Sequence, residues 1–89
     1  MTQKEIVDEL KALIVERLKF DPRRAAEMTA ETTLPKGVEG SLGLDSLDFI
    51  ELSVAMEERF GIVIDESDSL TDEFLSLDSL SRYVLSKVR

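Results

Sequence analysis

No cysteine and no histidine occur in the 89 residues of this chain. Without cysteine there is no disulfide, no thiolate nucleophile and no Cys-ligated metal. Without histidine the commonest general base and the commonest metal ligand are both missing. No stretch approaches the roughly 18 apolar residues of a membrane span, so no membrane insertion is expected. The opening "MTQKEIVDEL" is charged and has no apolar core, unlike a secretory signal, and a cytoplasmic protein is expected. Bases are scarce where acids are dense. Of a net charge of −8, the window Asp45–Glu73 holds ten acids against one base, Arg59; the other residues hold nine acids and ten bases. That balance disfavours nucleic acid and anionic membranes and favours partners with basic patches, unless the window is simply a solvated face.

A chain of this length makes one small domain, 1–89, with a single modest core. Ile6, Leu10, Leu13, Ile14 and Leu18 recur at helical spacing and predict a first helix over Lys4–Lys19, with Thr2 and Glu5 spaced as a capping box and Pro22 ending it. Residues 22–44 hold Pro35, Gly37, Gly40 and Gly43 and read as a long loop with a helical turn at Arg23–Met28. Leu34, Val38 and Leu42 are its candidate anchors to the core. A second helix is predicted over Ser46–Phe60, with Asp45 or Ser46 as N-cap and Gly61 as its stop. Ile62 and Ile64 then tuck inward, and Asp68–Glu73 forms one short turn. The last helix runs over Leu77–Val88, capped by Ser76, with Leu77, Leu80, Val84 and Val88 on one face and Tyr83 at its edge. The fold class is all-α: a small four-helix bundle of three main helices and one short one, with a long loop between the first two main helices.

The tripeptide Asp-Ser-Leu occurs three times, at Asp45–Leu47, Asp68–Leu70 and Asp78–Leu80. The third lies inside the last helix, where Leu80 continues the apolar stripe. The second sits in an acidic stretch where Ser and Asp are natural helix starters. The first differs. It follows Gly43, which gives close backbone access, and puts Ser46 at the start of a long helix with its hydroxyl exposed. That helix carries two apolar stripes, Phe49, Leu52, Met56 and Phe60 as core, and Leu47, Ile50 and Val54 centred about 145° away. So small a bundle cannot easily bury both, so the second faces a partner or Leu47 packs under the long loop. Glu51 and Glu58 border it on one side and Glu57 on the other, as on a docking surface.

Ser46 is not a self-sufficient nucleophile, because no histidine can activate it and no lysine lies near it in sequence. A serine at a helix start suits a phosphate-containing group installed by another enzyme. Asp45 and Asp48 oppose that anion and make better sense as contacts for the installing enzyme. No catalytic residue and no metal ligand set is found; Asp65–Glu73 lacks the glycine and the ligand spacing of a calcium loop.

The segment "LGLDSLDFIELSVAMEERFGIVI" resembles the core of acyl carrier proteins, whose L-G-x-D-S-L serine bears a 4′-phosphopantetheine arm. The resemblance spans the chain. It implies a non-enzymatic carrier of acyl thioesters, with the arm drawn from coenzyme A and attached at Ser46, flanked by Gly43, Asp45 and Leu47. It also implies a recognition face of Asp45, Leu47, Asp48, Ile50, Glu51, Val54 and Glu57. The implied partners are a phosphopantetheinyl transferase and acyl-processing enzymes (synthases, ligases or transferases) of fatty-acid or polyketide type, with basic docking surfaces, meeting a monomeric carrier. The first loop "TTLPKGVEGSLG" and the segment "DESDSLTDEFLS" are longer than in ordinary fatty-acid carriers, and Arg23 and Arg24 bring positive charge to a loop that is often acidic. These departures resemble specialised free-standing carriers. Two other readings remain: an acidic helical adaptor in which Ser46 is only an N-cap, and a peptidyl or aminoacyl carrier.

Overall fold

In the computed structural model, which describes residues 2–37, 41–65 and 74–88, the described residues form four helices and no strand. They are α1 (Gln3–Arg17), α2 (Pro22–Ala26), α3 (Ser46–Phe60) and α4 (Leu77–Val88). The all-α bundle expected from the sequence is the fold observed. The expected turn at Asp68–Glu73 and the anchor Val38 lie outside the described residues.

Helix α1 packs against α3, α4 and the short α2. Its stripe of Ile6, Val7, Leu10, Leu13 and Ile14 is buried, and Leu18 is half-buried. The Thr2–Glu5 capping box is formed, with the Glu5 N–H donating to Thr2 Oγ1 at 3.2 Å and the Thr2 N–H to Glu5 Oε1 at 2.9 Å. The helix ends two residues before the predicted Lys19. Lys19 adopts φ 54°, a left-handed conformation that stops the helix before proline can act. Pro22 instead starts α2, where its fixed φ suits the first helical position and Asp21 Oδ1 accepts the Arg23 N–H at 2.9 Å.

The long connection reaches α3 through paired backbone. The Leu44 N–H donates to the Leu34 carbonyl at 2.9 Å, and the Lys36 N–H to the Leu44 carbonyl at 2.9 Å. On its other side, the Leu34 N–H donates to the Leu75 carbonyl at 2.9 Å and the Leu77 N–H to Thr32 at 3.1 Å. Leu34 and Leu44 are buried and Leu42 half-buried, so the expected anchors Leu34 and Leu42 do face the core. Gly43 has φ 77°, and an added Cβ would meet nothing within 4 Å. Its glycine serves the turn, and not the close approach read from the sequence.

Leu52, Ala55 and Met56 are the buried residues of α3, while Phe49 and Phe60 are half-buried at its margins. Phe49 meets the buried Phe74 edge-on at 6.2 Å, and Phe74 meets Tyr83 at 5.7 Å. That ring chain buries Tyr83, which the sequence put only at the edge of its face. Val88, assigned to the same face, is exposed beyond the last buried turn at Val84. Ile62 is buried and Ile64 half-buried after the left-handed cap at Gly61.

Leu52→Ala should lower stability by about 2–5 kcal/mol and Ile50→Ala by no more than about 0.5 kcal/mol in urea titrations. Equal losses would show that both stripes of α3 are core.

Candidate functional site

The site begins with the cap of α3. Asp45 Oδ1 accepts the Asp48 N–H at 2.9 Å, and Asp48 Oδ2 accepts the Asp45 N–H at 3.2 Å. Asp45 is therefore the N-cap and Ser46 the first helical residue. Ser46 is exposed, and its hydroxyl takes no partner among the described residues. The other copies of the tripeptide are placed differently. Ser79 is half-buried and tied to Ser76, whose carbonyl accepts its hydroxyl at 3.1 Å and whose Oγ accepts its N–H at 3.2 Å. Asp78 accepts from Gln3 Nε2 at 2.8 Å and so joins the starts of α1 and α4. Ser69 lies outside the described residues.

Beside Ser46 the second stripe of α3 faces outward. Leu47 is 74% exposed, Ile50 56% and Val54 40%. Leu47 does not pack under the long loop.

The acids around the stripe are less free than the sequence implies. Glu51 and Glu58 both pair with Arg17 of α1, at 3.3 and 2.8 Å. The Glu58 hydrogen bond, more than Glu51, pushes the Arg17 pKa up. Glu57 is half-buried and its Oε2 accepts the Ile64 N–H at 2.9 Å, which ties the segment after α3 back onto the helix. Asp48, expected as a contact for the installing enzyme, is half-buried in the capping box. A carboxylate has about four acceptor positions, so each of these can take a further donor. Only Arg17, among the described residues, offsets charge along the stripe. It had no part in the expected site, because spacing within one helix says nothing about a base on another. The available signal was its position, three and four residues beyond the buried Ile14 and Leu13, at the edge of α1's core stripe.

Arg59 lies away from the stripe and pairs with Glu9 of α1. Among the described residues, no group of three or more His, Cys, Asp or Glu side chains could hold a metal ion. No helix among them is long and apolar enough to cross a membrane.

Residues 8–84 match the family described as "Phosphopantetheine attachment site". The chain is also similar to curated proteins named acyl carrier protein. That of Helicobacter acinonychis is 34% identical over 79 residues, covering 89% of this chain and 90% of the relative. That of Wolinella succinogenes is 34% identical over 89% of this chain and 92% of its own length. That of Campylobacter jejuni is 34% identical over 86% and 88%.

The acid-dense window should make stability depend on salt. Between ionic strengths of about 0.01 and 0.15 M the screening length falls from about 30 to 8 Å. The melting temperature should rise over that range, equally in sodium and potassium chloride. A constant value would show that caps and ion pairs already absorb the repulsion.

Proposed function

The chain belongs to the acyl carrier protein family, and on that premise we propose that Ser46 is the attachment site of its 4′-phosphopantetheine arm. As a member it is a carrier and not an enzyme, and the cofactor of the family is covalent 4′-phosphopantetheine. When attached, that group supplies a thiol that holds acyl intermediates as thioesters. In this reading the chain, a monomer made of one carrier domain over 1–89, presents them to fatty-acid- or polyketide-type biosynthetic enzymes. Its work lies in the cytoplasm, where coenzyme A is at hand.

The observation that carries the assignment is the division of labour at the start of α3. Asp45 caps the helix, so Ser46 has no capping duty and its exposed hydroxyl is left over for chemistry. The adaptor reading required Ser46 to be the cap. The N–H groups of Asp48 and Phe49 are taken by Asp45, while those of Ser46 and Leu47 take no partner among the described residues. Such groups, at the positive end of a helix dipole, suit a phosphodiester on Ser46. The chain has no histidine to activate Ser46, so in this reading the installing transferase takes the hydroxyl proton as Oγ bonds to the pantetheine phosphorus of coenzyme A and adenosine 3′,5′-bisphosphate leaves.

Docking follows from the same surface. Leu47, Ile50 and Val54 offer apolar area, and Asp45, Asp48, Glu51 and Glu57 offer negative charge to a basic partner. Binding through so small a patch is weak and transient, as a carrier visiting successive enzymes requires. The names of the relatives favour an acyl over a peptidyl carrier. The long first connection and Arg23 and Arg24 in α2, with the Arg24 guanidinium 4.7 Å from the Phe20 ring centre, favour a specialised pathway over the housekeeping one.

After incubation with coenzyme A and a phosphopantetheinyl transferase, the parent should gain the mass of one arm and Ser46→Ala none. A gain retained in Ser46→Ala would move the site to another serine.

Two variants test the docking face by modification rate against ionic strength. Glu51→Lys should slow modification at low salt, with the difference shrinking as salt rises, because exposed pairs are worth only about 0–1 kcal/mol. Leu47→Ala should slow it with little salt dependence. Asp48→Lys is a poorer probe, since it also breaks the cap. If Glu51→Lys matches the parent at low salt, the acids are only a solvated face.

A further inference from the structure

We infer that Arg17 of α1 is an internal counter-ion that restrains the docking face of α3, holding down its attraction for basic partners. The inference rests on the docking reading above and concerns how that face is tuned.

The geometry is specific to one flank. Arg17 Nε donates to Glu51 Oε1 at 3.3 Å and Nη1 to Glu58 Oε2 at 2.8 Å. On a helical wheel Glu51 and Glu58 fall within about 70° of the centre of the Leu47–Ile50–Val54 stripe, Glu58 one turn beyond Val54. The remaining acids near this face are engaged by backbone N–H groups: Asp45 and Asp48 by each other's, Glu57 by that of Ile64. A backbone donor orients a carboxylate and leaves its full charge for a partner. A guanidinium cancels part of the charge.

A partner cation approaching Glu51 or Glu58 therefore competes with Arg17 or shares a carboxylate with it. Glu51 and Glu58 are exposed, at 48% and 62%, and Arg17 is half-buried at 30%, so the competition takes place at the water boundary and is adjustable by single residues. Arg59 supplies a built-in comparison. It too joins α3 to α1, through Glu9, but lies about 150° round the helix from the stripe centre. Removing either arginine lowers the net charge equally, and only Arg17 touches the docking rim.

The test compares the full chain with Arg17→Gln, Arg17→Lys, Arg59→Gln and Leu47→Ala, using the kcat/KM of a phosphopantetheinyl transferase with coenzyme A. Circular dichroism melting of each variant confirms the fold. Arg17→Gln should raise kcat/KM about two- to fivefold at low ionic strength, mainly through KM, and should converge on the parent at high salt. Arg17→Lys, which keeps the charge, should stay near the parent, and Arg59→Gln should give a clearly smaller rise than Arg17→Gln. Glu58→Gln, which leaves Arg17 to Glu51 alone, should slow the reaction and gives a readout independent of whether Arg17→Gln folds. An unchanged or slower Arg17→Gln, an equal rise in Arg59→Gln, or an unaffected Glu58→Gln overturns the inference. If Leu47→Ala has no effect, the docking reading itself fails, which separates the two.

Discussion

The backbone pairing of Leu44 with Leu34 and Lys36 fixes where α3 begins, and the character of the site follows from that position. A long connection has many conformations, and ordering it costs roughly 1–2 kcal/mol per residue. Burial of Leu34 and Leu44 and the paired hydrogen bonds on both sides of residues 32–36 offset that cost. Because Leu44 is buried and paired, the next residue, Asp45, is held in extended geometry at φ −94° and ψ −177°, where its carboxylate can cap the helix. With Asp45 as cap, Ser46 becomes the first helical residue, exposed and without a structural task.

The two faces of α3 divide the helix between a packed face and one left in water. Leu52, Ala55 and Met56 are buried, and Phe49 reaches α4 through Phe74 and Tyr83. The opposite stripe leaves three aliphatic side chains in water, at a cost of burial that the fold does not recover. A domain this small has little core to spare, so this exposure supports the proposed docking face, covered only while a partner is bound.

Charge is organised on the same plan. The acids of the window from Asp45 are not one diffuse cloud: backbone donors hold Asp45, Asp48 and Glu57, and the guanidinium of Arg17 holds Glu51 and Glu58. An acid fixed by a backbone N–H keeps its charge for a partner, whereas one paired to arginine is partly cancelled. The surface is thus graded along α3, not uniformly acidic.

The sequence by itself determined the helices and the two stripes of α3, because periodicity and caps act over three or four residues. Thr2 with Glu5, Gly61 after Phe60 and Ser76 ahead of Leu77 are all local signals, and all are realised. It also singled out Ser46, since an Asp-Ser-Leu after Gly43 at a helix start differs from one inside a helix. Only the tertiary structure decided what depends on distant partners. Whether Asp45 or Ser46 caps α3 rests on how the long connection is anchored at Leu34. The burial of Tyr83 comes from Phe74, and the exposure of Val88 from the length of the packed interface. The pairing of Arg17 with Glu51 and Glu58 joins residues 34 and 41 positions apart, a contact made only when α1 lies against α3. Periodicity gives the face on which a side chain stands, but which charge stands opposite it is set by the packing of whole helices.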